Sequence, residues 1–236
     1  VKEKPGVIVK MNKPSSVLFE GVDTDTYKPI NKFSDEVKEI FENVDEDFGF
    51  LFVGHWLGGG LGQDRKDVGM LIKVFIETFK NTKKPPALFL KTSGADFSIL
   101  DREDILKKIE HIKKGVKGVL PNIYLIHGDF TDEQMNELYN YPKVKAHITF
   151  THGEGFGRPL LEASQSGKPV IAPGWSGHVD FLNQNYAVLL PGTLNTAPKE
   201  AFPKDMIIDT PENKWITVNY SVASNIMKDI HKNYQK

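Results

Sequence analysis

Two glutamates and three glycines give the segment from Thr149 to Ala163 the clearest potential for chemistry. Glu154 lies in a loop with glycine at every second position, and Glu162 follows in or near the first turn of a predicted helix. Pro159 favours a helix start because the missing N–H of proline would be unpaired there. The free amides of such an N-terminus bind anions, phosphate above all, whereas carboxylates accept hydrogen bonds from hydroxyls. Together these groups suit a sugar nucleotide.

Length, charge and cysteine content limit the classes of protein to consider. The chain has 236 residues, a net charge of −1 and no cysteine. The length allows one large domain or two small ones, and the mixed, near-neutral charge gives no reason to expect nucleic acid. The lack of cysteine excludes disulfides and zinc–thiolate sites, and no apolar run approaches the ~20 residues of a membrane span. We therefore expect a cytoplasmic protein without a nucleic-acid partner or a transmembrane segment.

Short apolar runs alternate with amphipathic segments along most of the chain. The predicted strands are Phe50–Val53, Ala87–Leu90, Ile123–Ile126, Ala146–Thr151, Pro169–Ala172 and Ala187–Leu190. The predicted helices are Val68–Phe79, Asp101–Lys114 with Asp101 as its N-cap, Asp132–Tyr139, Pro159–Ser166, His178–Asn183 and Ser221–Asn233. This alternation predicts an α/β fold with a doubly wound, Rossmann-like parallel sheet of about six strands, in the order 3-2-1-4-5-6. Ligands bind such sheets beyond the carboxyl ends of the strands.

Two segments lie outside this pattern. Residues 1 to about 30 contain one strand-like run, Val7–Lys10, followed by a turn-rich passage. Residues 191–214 are rich in proline, threonine and asparagine, and we expect them to form an irregular excursion before the last helix.

The sequence EGFGRPLLEASQSGKPVIAPGWSG resembles the signature of retaining glycosyltransferases of the GT-B fold, the group 1 or family-four type. Weaker similarities follow the family's order. VLFEGVDTDTYKP resembles the interdomain linker, and FLFVGHW with RKDVGMLIKVF resembles the segment that holds the diphosphate. IYLIHGDFTDEQMNELY resembles the strand and loop beside the nucleobase, and the resemblance continues to the closing helix.

The resemblance implies that the chain is the C-terminal, donor-binding half of a GT-B fold. Residues 1–20 would then be a linker or remnant from a missing N-terminal domain, and residues 21–236 would form the donor-binding domain with its C-terminal helix. In the family the N-terminal domain carries the acceptor site. We therefore expect the isolated chain to bind a nucleoside diphosphate and to transfer sugar poorly.

The resemblance also implies roles for particular residues. Glu154 would contact the donor sugar near its anomeric carbon and count as the catalytic residue, and Glu162 would accept hydrogen bonds from the ribose. Lys66 would bind the diphosphate. The remaining donor-binding candidates are the segment Gly155, Phe156, Gly157 and Arg158, whose amides would hold sugar and phosphate, the diphosphate-side residue His55, and Asp129 and Phe130 beside the nucleobase.

Each role has a plainer alternative. A solvated loop glutamate, an acid favoured by a helix dipole, a solvated lysine and a structural histidine would explain Glu154, Glu162, Lys66 and His55 without any ligand. The sequence also departs from the family pattern, since His55 replaces a basic residue and Asp67 replaces a glycine. Arg65 or Arg158 could restore the lost charge, and the sequence does not decide between them.

The resemblance implies a transferase that moves a sugar with retention and without metal or cofactor. We identify no covalent nucleophile, and the histidines lack metal-site spacing. A non-catalytic binding module for nucleotide sugars remains an alternative, and a sugar-nucleotide epimerase of the same fold is a weaker one. UDP- or GDP-sugar is the expected donor, whereas the exact base, the sugar, the acceptor and the oligomeric state stay open.

Overall fold

The computed structural model describes residues 13–16, 18–94, 96–198 and 213–234. Their main sheet has six parallel strands. In chain order these are β1 (Gly49–Val53), β2 (Ala87–Lys91), β3 (Ile123–Ile126), β4 (Val144–Ile148), β5 (Val170–Pro173) and β6 (Ala187–Leu190). Their spatial order, β3-β2-β1-β4-β5-β6, confirms the predicted α/β class and strand order.

Helices cover both faces of the sheet. They are α1 (Asp35–Ile40), α2 (Val68–Phe79), α3 (Ile99–Lys114), α4 (Asp132–Asn140), α5 (Arg158–Ser164) and α6 (Tyr220–Asn233). Helix α2 packs between α3 and α6 on one face, and α4 packs against α1 and α5 on the other. This arrangement is the predicted doubly wound fold.

Strands β1, β2 and β5 bury both of their faces, which is why they appear in the sequence as continuous apolar runs. Phe50 and Phe52 of β1 point into the core under α2, α3 and α6. Leu51, between them, points into the core on the opposite face. This alternation follows from the two-residue period of a strand.

Helix α3 begins earlier than predicted. Its N-cap is Ser98, whose side chain accepts a hydrogen bond from the amide of Asp101, so the prediction that Asp101 is the N-cap is wrong. The Asp101 carboxylate instead accepts hydrogen bonds from the amide of Gly94 at 2.9 Å and lies 3.0 Å from His127 Nε2. Asp101 therefore ties the loop after β2 to the loop after β3.

Three further predictions differ from the structure. Strand β4 ends at Ile148 rather than Thr151, and the predicted helix His178–Asn183 is a 3₁₀ turn over Gly177–Asp180. The segment 191–214 is not wholly irregular, because β7 (Gly192–Thr196) pairs antiparallel with β8 (Lys214–Val218). The strand predicted at Val7–Lys10 lies outside the described residues.

Candidate functional site

Glu154 and Lys66 meet at the carboxyl edge of the sheet. Glu154 lies in the loop between β4 and α5, and Lys66 lies in the loop between β1 and α2. Lys66 Nζ lies 2.5 Å from Glu154 Oε1, and both side chains are about nine-tenths buried, with exposures of 10% and 9%. Arg65 Nη1 lies 3.6 Å from the other carboxylate oxygen of Glu154. The structure thus brings the two predicted residues into one ion pair, with Arg65 beside it.

The environment of the pair favours an ionised Glu154. Burial acts to raise the pKa of Glu154, but the charge and hydrogen bond of Lys66, a hydrogen bond from Thr151 and the charge of Arg65 together lower it. For Lys66 burial is the larger effect and lowers its pKa, with Glu154 opposing it in part and Arg65 adding to it. Glu154 therefore has two cations as partners, whereas Lys66 has one carboxylate.

The amides of residues 155–158 are available to a ligand. No hydrogen bond among the described residues uses the backbone N–H of Gly155, Phe156, Gly157 or Arg158. Gly157 adopts a left-handed conformation with φ 93°, and a Cβ there would lie 2.9 Å from His178 Cβ. Helix α5 then starts at Arg158, with Pro159 as its second residue. Consecutive unpaired amides next to a helix start form a concave site for an anion.

The turn after β5 holds the Glu154 loop in position through hydrogen bonds. Ser176 Oγ accepts a hydrogen bond from the Glu154 amide at 3.0 Å and donates one to the Glu154 carbonyl at 2.7 Å. The Gly177 amide donates to the same carbonyl at 3.0 Å. A Cβ on Gly177 would lie 2.0 Å from the carbonyl oxygen of Gly155, so only glycine permits this contact.

Glu162 lies in the second turn of α5 and is 5% exposed. Its Oε1 accepts a hydrogen bond from Arg158 Nε at 2.7 Å, and its Oε2 accepts one from Tyr139 Oη at 3.0 Å. The Arg158 guanidinium is also 3.6 Å from Asp132. Each carboxylate oxygen has two lone pairs, so these bonds fix the orientation of Glu162 and leave acceptor capacity for a further donor.

His55 and Lys66 share a cleft of about 230 Å³ at the carboxyl ends of β1 and β2. His55 Nδ1 lies 3.0 Å from Ser93 Oγ. Arg65 also lines this cleft, whereas Arg158 bonds to Glu162. Of the two arginines that could supply the positive charge lost at His55, the structure therefore places Arg65 beside Lys66. We call this space the edge cleft.

Lys91 is a cation of the edge cleft that sequence reasoning missed. It is the last residue of β2, and its Nζ donates a 2.6 Å hydrogen bond to the Gly128 carbonyl. The ammonium lies 4.5 Å from the ring centroid of Phe130 and 5.2 Å from that of Phe97. Burial lowers the pKa of Lys91, and the charge of Asp129 opposes this in part. The two residues predicted beside the nucleobase, Asp129 and Phe130, thus surround a buried cation.

Phe156 makes contacts different from those of the other candidates. Its ring lies 5.1 Å from both Phe19 and Phe181, so its side chain belongs to an aromatic cluster rather than to the Glu154–Lys66 pair. Phe19 itself is 50% exposed.

Asp67 adopts the left-handed conformation that glycine favours, with φ 54°. Its carboxylate accepts a 2.6 Å hydrogen bond from Tyr220 Oη. Its Oδ1 lies 3.8 Å from His152 Nε2. Burial raises the pKa of Asp67 to about 7, with the Tyr220 hydrogen bond opposing and the charge of Asp64 adding to it. Asp67 therefore connects the loop that carries Lys66 to helix α6.

The polar residues that sequence reasoning missed have weak signals. Lys91 ends an apolar strand, which places it at the edge where ligands bind, but a single lysine at a strand end carries no motif. Thr151 and Ser176 each hold the Glu154 loop through a single hydroxyl, and no residue pattern distinguishes them from other loop residues. Tyr139 lies on a helix face that the periodicity assigns to the core.

The described residues contain neither a metal-binding cluster nor a membrane-spanning helix. No group of three or more histidine, aspartate or glutamate side chains within them is arranged to hold a metal ion. None of the helices within the described ranges has the length and apolar character needed to cross a bilayer.

The fold was then compared with known proteins. No protein-family model matches the sequence, and no curated protein matches it. The C-terminal domain of LpcC, a glycosyl transferase group 1 family protein from Francisella tularensis, is similar at 19% identity and a TM-score of 0.50, with 91% of this chain and 98% of that chain covered. The chain has the fold of a glycosyltransferase C-terminal domain.

Two longer chains share this glycosyltransferase C-terminal fold. Sucrose-phosphate synthase from Thermosynechococcus elongatus is 15% identical with a TM-score of 0.54, covering 90% of this chain and 42% of that one. HepE from Anabaena, solved in complex with UDP and glucose, is 17% identical with a TM-score of 0.55, covering 93% and 48%. This chain therefore spans less than half of either protein, and the fold that the sequence resemblance implied is confirmed.

Proposed function

We propose that this chain is the donor-binding domain of a glycosyltransferase that takes a sugar from a nucleoside diphosphate. The observation that carries the proposal is the position of the Glu154 carboxylate, held against Lys66 and next to the unpaired amides of residues 155–158. Cations and amides suit a diphosphate, and the carboxylate suits sugar hydroxyls. The solved complex of HepE with UDP and glucose, a protein of the same fold, supports this choice of donor.

In the proposed reaction the bond between the anomeric carbon and the diphosphate oxygen breaks, and a bond from that carbon to an acceptor hydroxyl oxygen forms on the same face, without a metal ion. The proton of the acceptor hydroxyl passes to the leaving diphosphate. The barrier comes from charge that develops on the leaving phosphate and on the anomeric carbon. Lys66 and the free amides would stabilise the phosphate, because their positions are fixed before the reaction begins. Glu154 would accept hydrogen bonds from the sugar and stabilise the positive charge at its anomeric centre. The buried ion pair keeps this carboxylate ionised in the absence of the donor.

The rest of the donor would extend along the same edge. Glu162 keeps acceptor capacity for ribose hydroxyls beyond its bonds to Arg158 and Tyr139. Phe130 and Asp129 would lie beside the base, with His55 and Arg65 on the diphosphate side. Calorimetry with UDP and GDP decides whether the site prefers uracil or guanine. The cytoplasmic location stays a prediction.

A binding module without turnover is the second candidate. It is favoured for the isolated chain because the matched region is less than half of two longer proteins of the same fold. The matched region is 42% and 48% of two longer chains of the same fold. We therefore propose that a further domain positions the acceptor, because holding two reactants together supplies much of the rate. A sugar-nucleotide epimerase is a third possibility, which product analysis would detect.

Calorimetry with UDP, GDP and ADP tests the donor site. We expect one of the diphosphates to bind with one molecule per chain, and Glu154→Gln to weaken binding of the matching sugar conjugate more than that of the diphosphate. Absence of binding by all three nucleotides would contradict the proposal. A labelled donor should then give little transfer with this chain alone and more with a supplied N-terminal domain. Rapid transfer by the chain alone would contradict the need for a second domain.

A further inference from the structure

A second cavity lies away from the Glu154–Lys66 pair. It has a volume of about 640 Å³ and lies between the glycine-rich loop after β1 and helices α2 and α3. We call it the α2–α3 cavity. Small-molecule sites typically occupy several hundred Å³, so the space suffices for a ligand other than water.

Glycines in the loop and in α2 keep this space open. Gly59 has φ 129°, and a Cβ there would lie 2.9 Å from the backbone nitrogen of Asp64. In α2, a Cβ on Gly69 would approach Leu61 to 3.0 Å and would also contact Ile112 and Trp56, each at 3.8 Å. The run of glycines that the donor site does not use therefore shapes one wall of the cavity.

The lining of the cavity is apolar inside and basic at its opening. Trp56, Ile112 and Val116 supply buried or half-buried apolar surface. Three exposed residues, Lys73, Lys107 and His111, supply basic groups. Because exposed side chains lie nearer solvent than buried ones, the positive charge surrounds the opening.

Those basic groups have few partners within the protein. Lys73 and Lys107 form no salt bridge with any residue in the described ranges, whereas Lys108 pairs with Asp104 at 2.8 Å and lies 5.6 Å from the Trp56 ring. Asp64 is the one acidic residue of the lining, and it is 1% exposed. A ligand would thus find its apolar contacts inside and unpaired positive charge at the opening.

We propose that the α2–α3 cavity is a second ligand site, which binds a small amphipathic anion. The apolar body of the ligand packs on Trp56, Ile112 and Leu61, and its phosphate or carboxylate lies between Lys73 and Lys107. This site is separate from the donor site, whose edge cleft is lined by a different set of residues that includes His55, Lys66 and Lys91. The inference does not depend on the proposed sugar transfer.

Three compounds with the same eight-carbon tail test the proposal: octyl phosphate, octyl glucoside and octylammonium. Each is titrated into the full chain by calorimetry below its micelle concentration. We expect one octyl phosphate per chain, bound about tenfold more tightly than the other two, because two unpaired lysines, Lys73 and Lys107, face the head group. Equal affinity for all three, or no binding of octyl phosphate, would overturn the proposal.

Variants locate the site. Lys73→Gln combined with Lys107→Gln should weaken octyl phosphate binding about tenfold, whereas the control pair Lys228→Gln and Lys232→Gln on α6, with the same charge change, should not. Gly69→Val should lower affinity by filling the cavity. UDP should not displace octyl phosphate. Equal weakening in the control pair, or displacement by UDP, would show that the anion binds elsewhere.

Discussion

The edge cleft and the α2–α3 cavity are both lined by residues of the short segment His55–Lys66, but they differ in volume and in the charged groups that they present. The edge cleft is about 230 Å³ and contains His55, Arg65, Lys66 and Lys91. The α2–α3 cavity is about 640 Å³ and its inner wall is apolar. The larger space lacks the paired charges and free amides, so volume alone would direct attention away from the Glu154–Lys66 pair. Convergence of polar groups is the better guide to chemistry.

The largest expected effect concerns Asp67, which directly follows the segment shared by the two cavities. Its pKa is raised by burial from 3.8 to about 7, so between these pH values the folded state keeps a proton that the unfolded chain has lost. The free energy of unfolding should therefore fall as the pH rises from about 4 to about 7, by roughly 3–4 kcal/mol. Urea unfolding at several pH values should show a weaker decline for Asp67→Asn.

Asp180→Asn is the matched control for this experiment, because Asp180 is an exposed carboxylate. It should leave the pH dependence unchanged. Parallel stability curves for wild type and Asp67→Asn would show that Asp67 does not hold its proton on folding.

The next prediction compares how a lysine substitution in each of the two spaces changes the free energy of unfolding. Lys66→Met should lower the free energy of unfolding by about 3 kcal/mol, since it leaves the buried Glu154 carboxylate without its nearest cation. Lys107→Met at the opening of the α2–α3 cavity should change it by less than about 0.5 kcal/mol. In the double variant Lys66→Met/Glu154→Leu most of the loss should be recovered. Simple additivity of the two changes would contradict a buried, mutually dependent pair.

The affinity for the nucleoside diphosphate should change with substitutions at the edge of the sheet and not with substitutions in the α2–α3 cavity. Glu162→Ala should weaken it by roughly 1.5–3 kcal/mol, the range for hydrogen bonds to a charged group. Tyr139→Phe removes one partner of Glu162 but not the carboxylate and should have a smaller effect. Calorimetry showing equal affinity for wild type and Glu162→Ala would remove Glu162 from the donor site.

The smallest effect concerns the base. Phe130→Leu should lower affinity for the nucleoside diphosphate by about 1 kcal/mol through lost stacking. Inorganic pyrophosphate has no base, so its affinity should not change. A parallel loss for pyrophosphate would mean that Phe130 acts through Lys91 on the phosphate region instead.

The fold was predictable because its strands are short apolar runs with helices between them. Helix α2 and strands β3 and β6 have the bounds that the pattern predicts. Strand β7 was not predictable, because all five of its residues are exposed and the strand therefore carries no apolar pattern. Ser98 and Asp101 are both residue types that suit an N-cap. Ser98 is the N-cap in the structure because the Asp101 carboxylate bonds to the neighbouring loops instead.

The sequence predicts candidate residues for the site but not the contacts between them. A motif identified Glu154 and Lys66, yet their pairing depends on how two loops 88 positions apart meet at the sheet edge. The surroundings of Lys91 come from residues near 97 and 128–130, which the sequence near Lys91 does not contain. Tertiary structure therefore determines which cation faces which acceptor.

The contact between Gly177 and Gly155 has a consequence for laboratory evolution. A Cβ at position 177 would lie 2.0 Å from a backbone oxygen of the Glu154 loop. Libraries aimed at new donor sugars would naturally randomise residues 153–158, but a substitution at Gly177 would shift the whole loop at once. If Gly177 is kept constant, the Glu154 carboxylate keeps its position while the neighbouring residues vary. If Gly177 alone is varied, the position of the loop changes but none of the groups that would contact the donor is replaced.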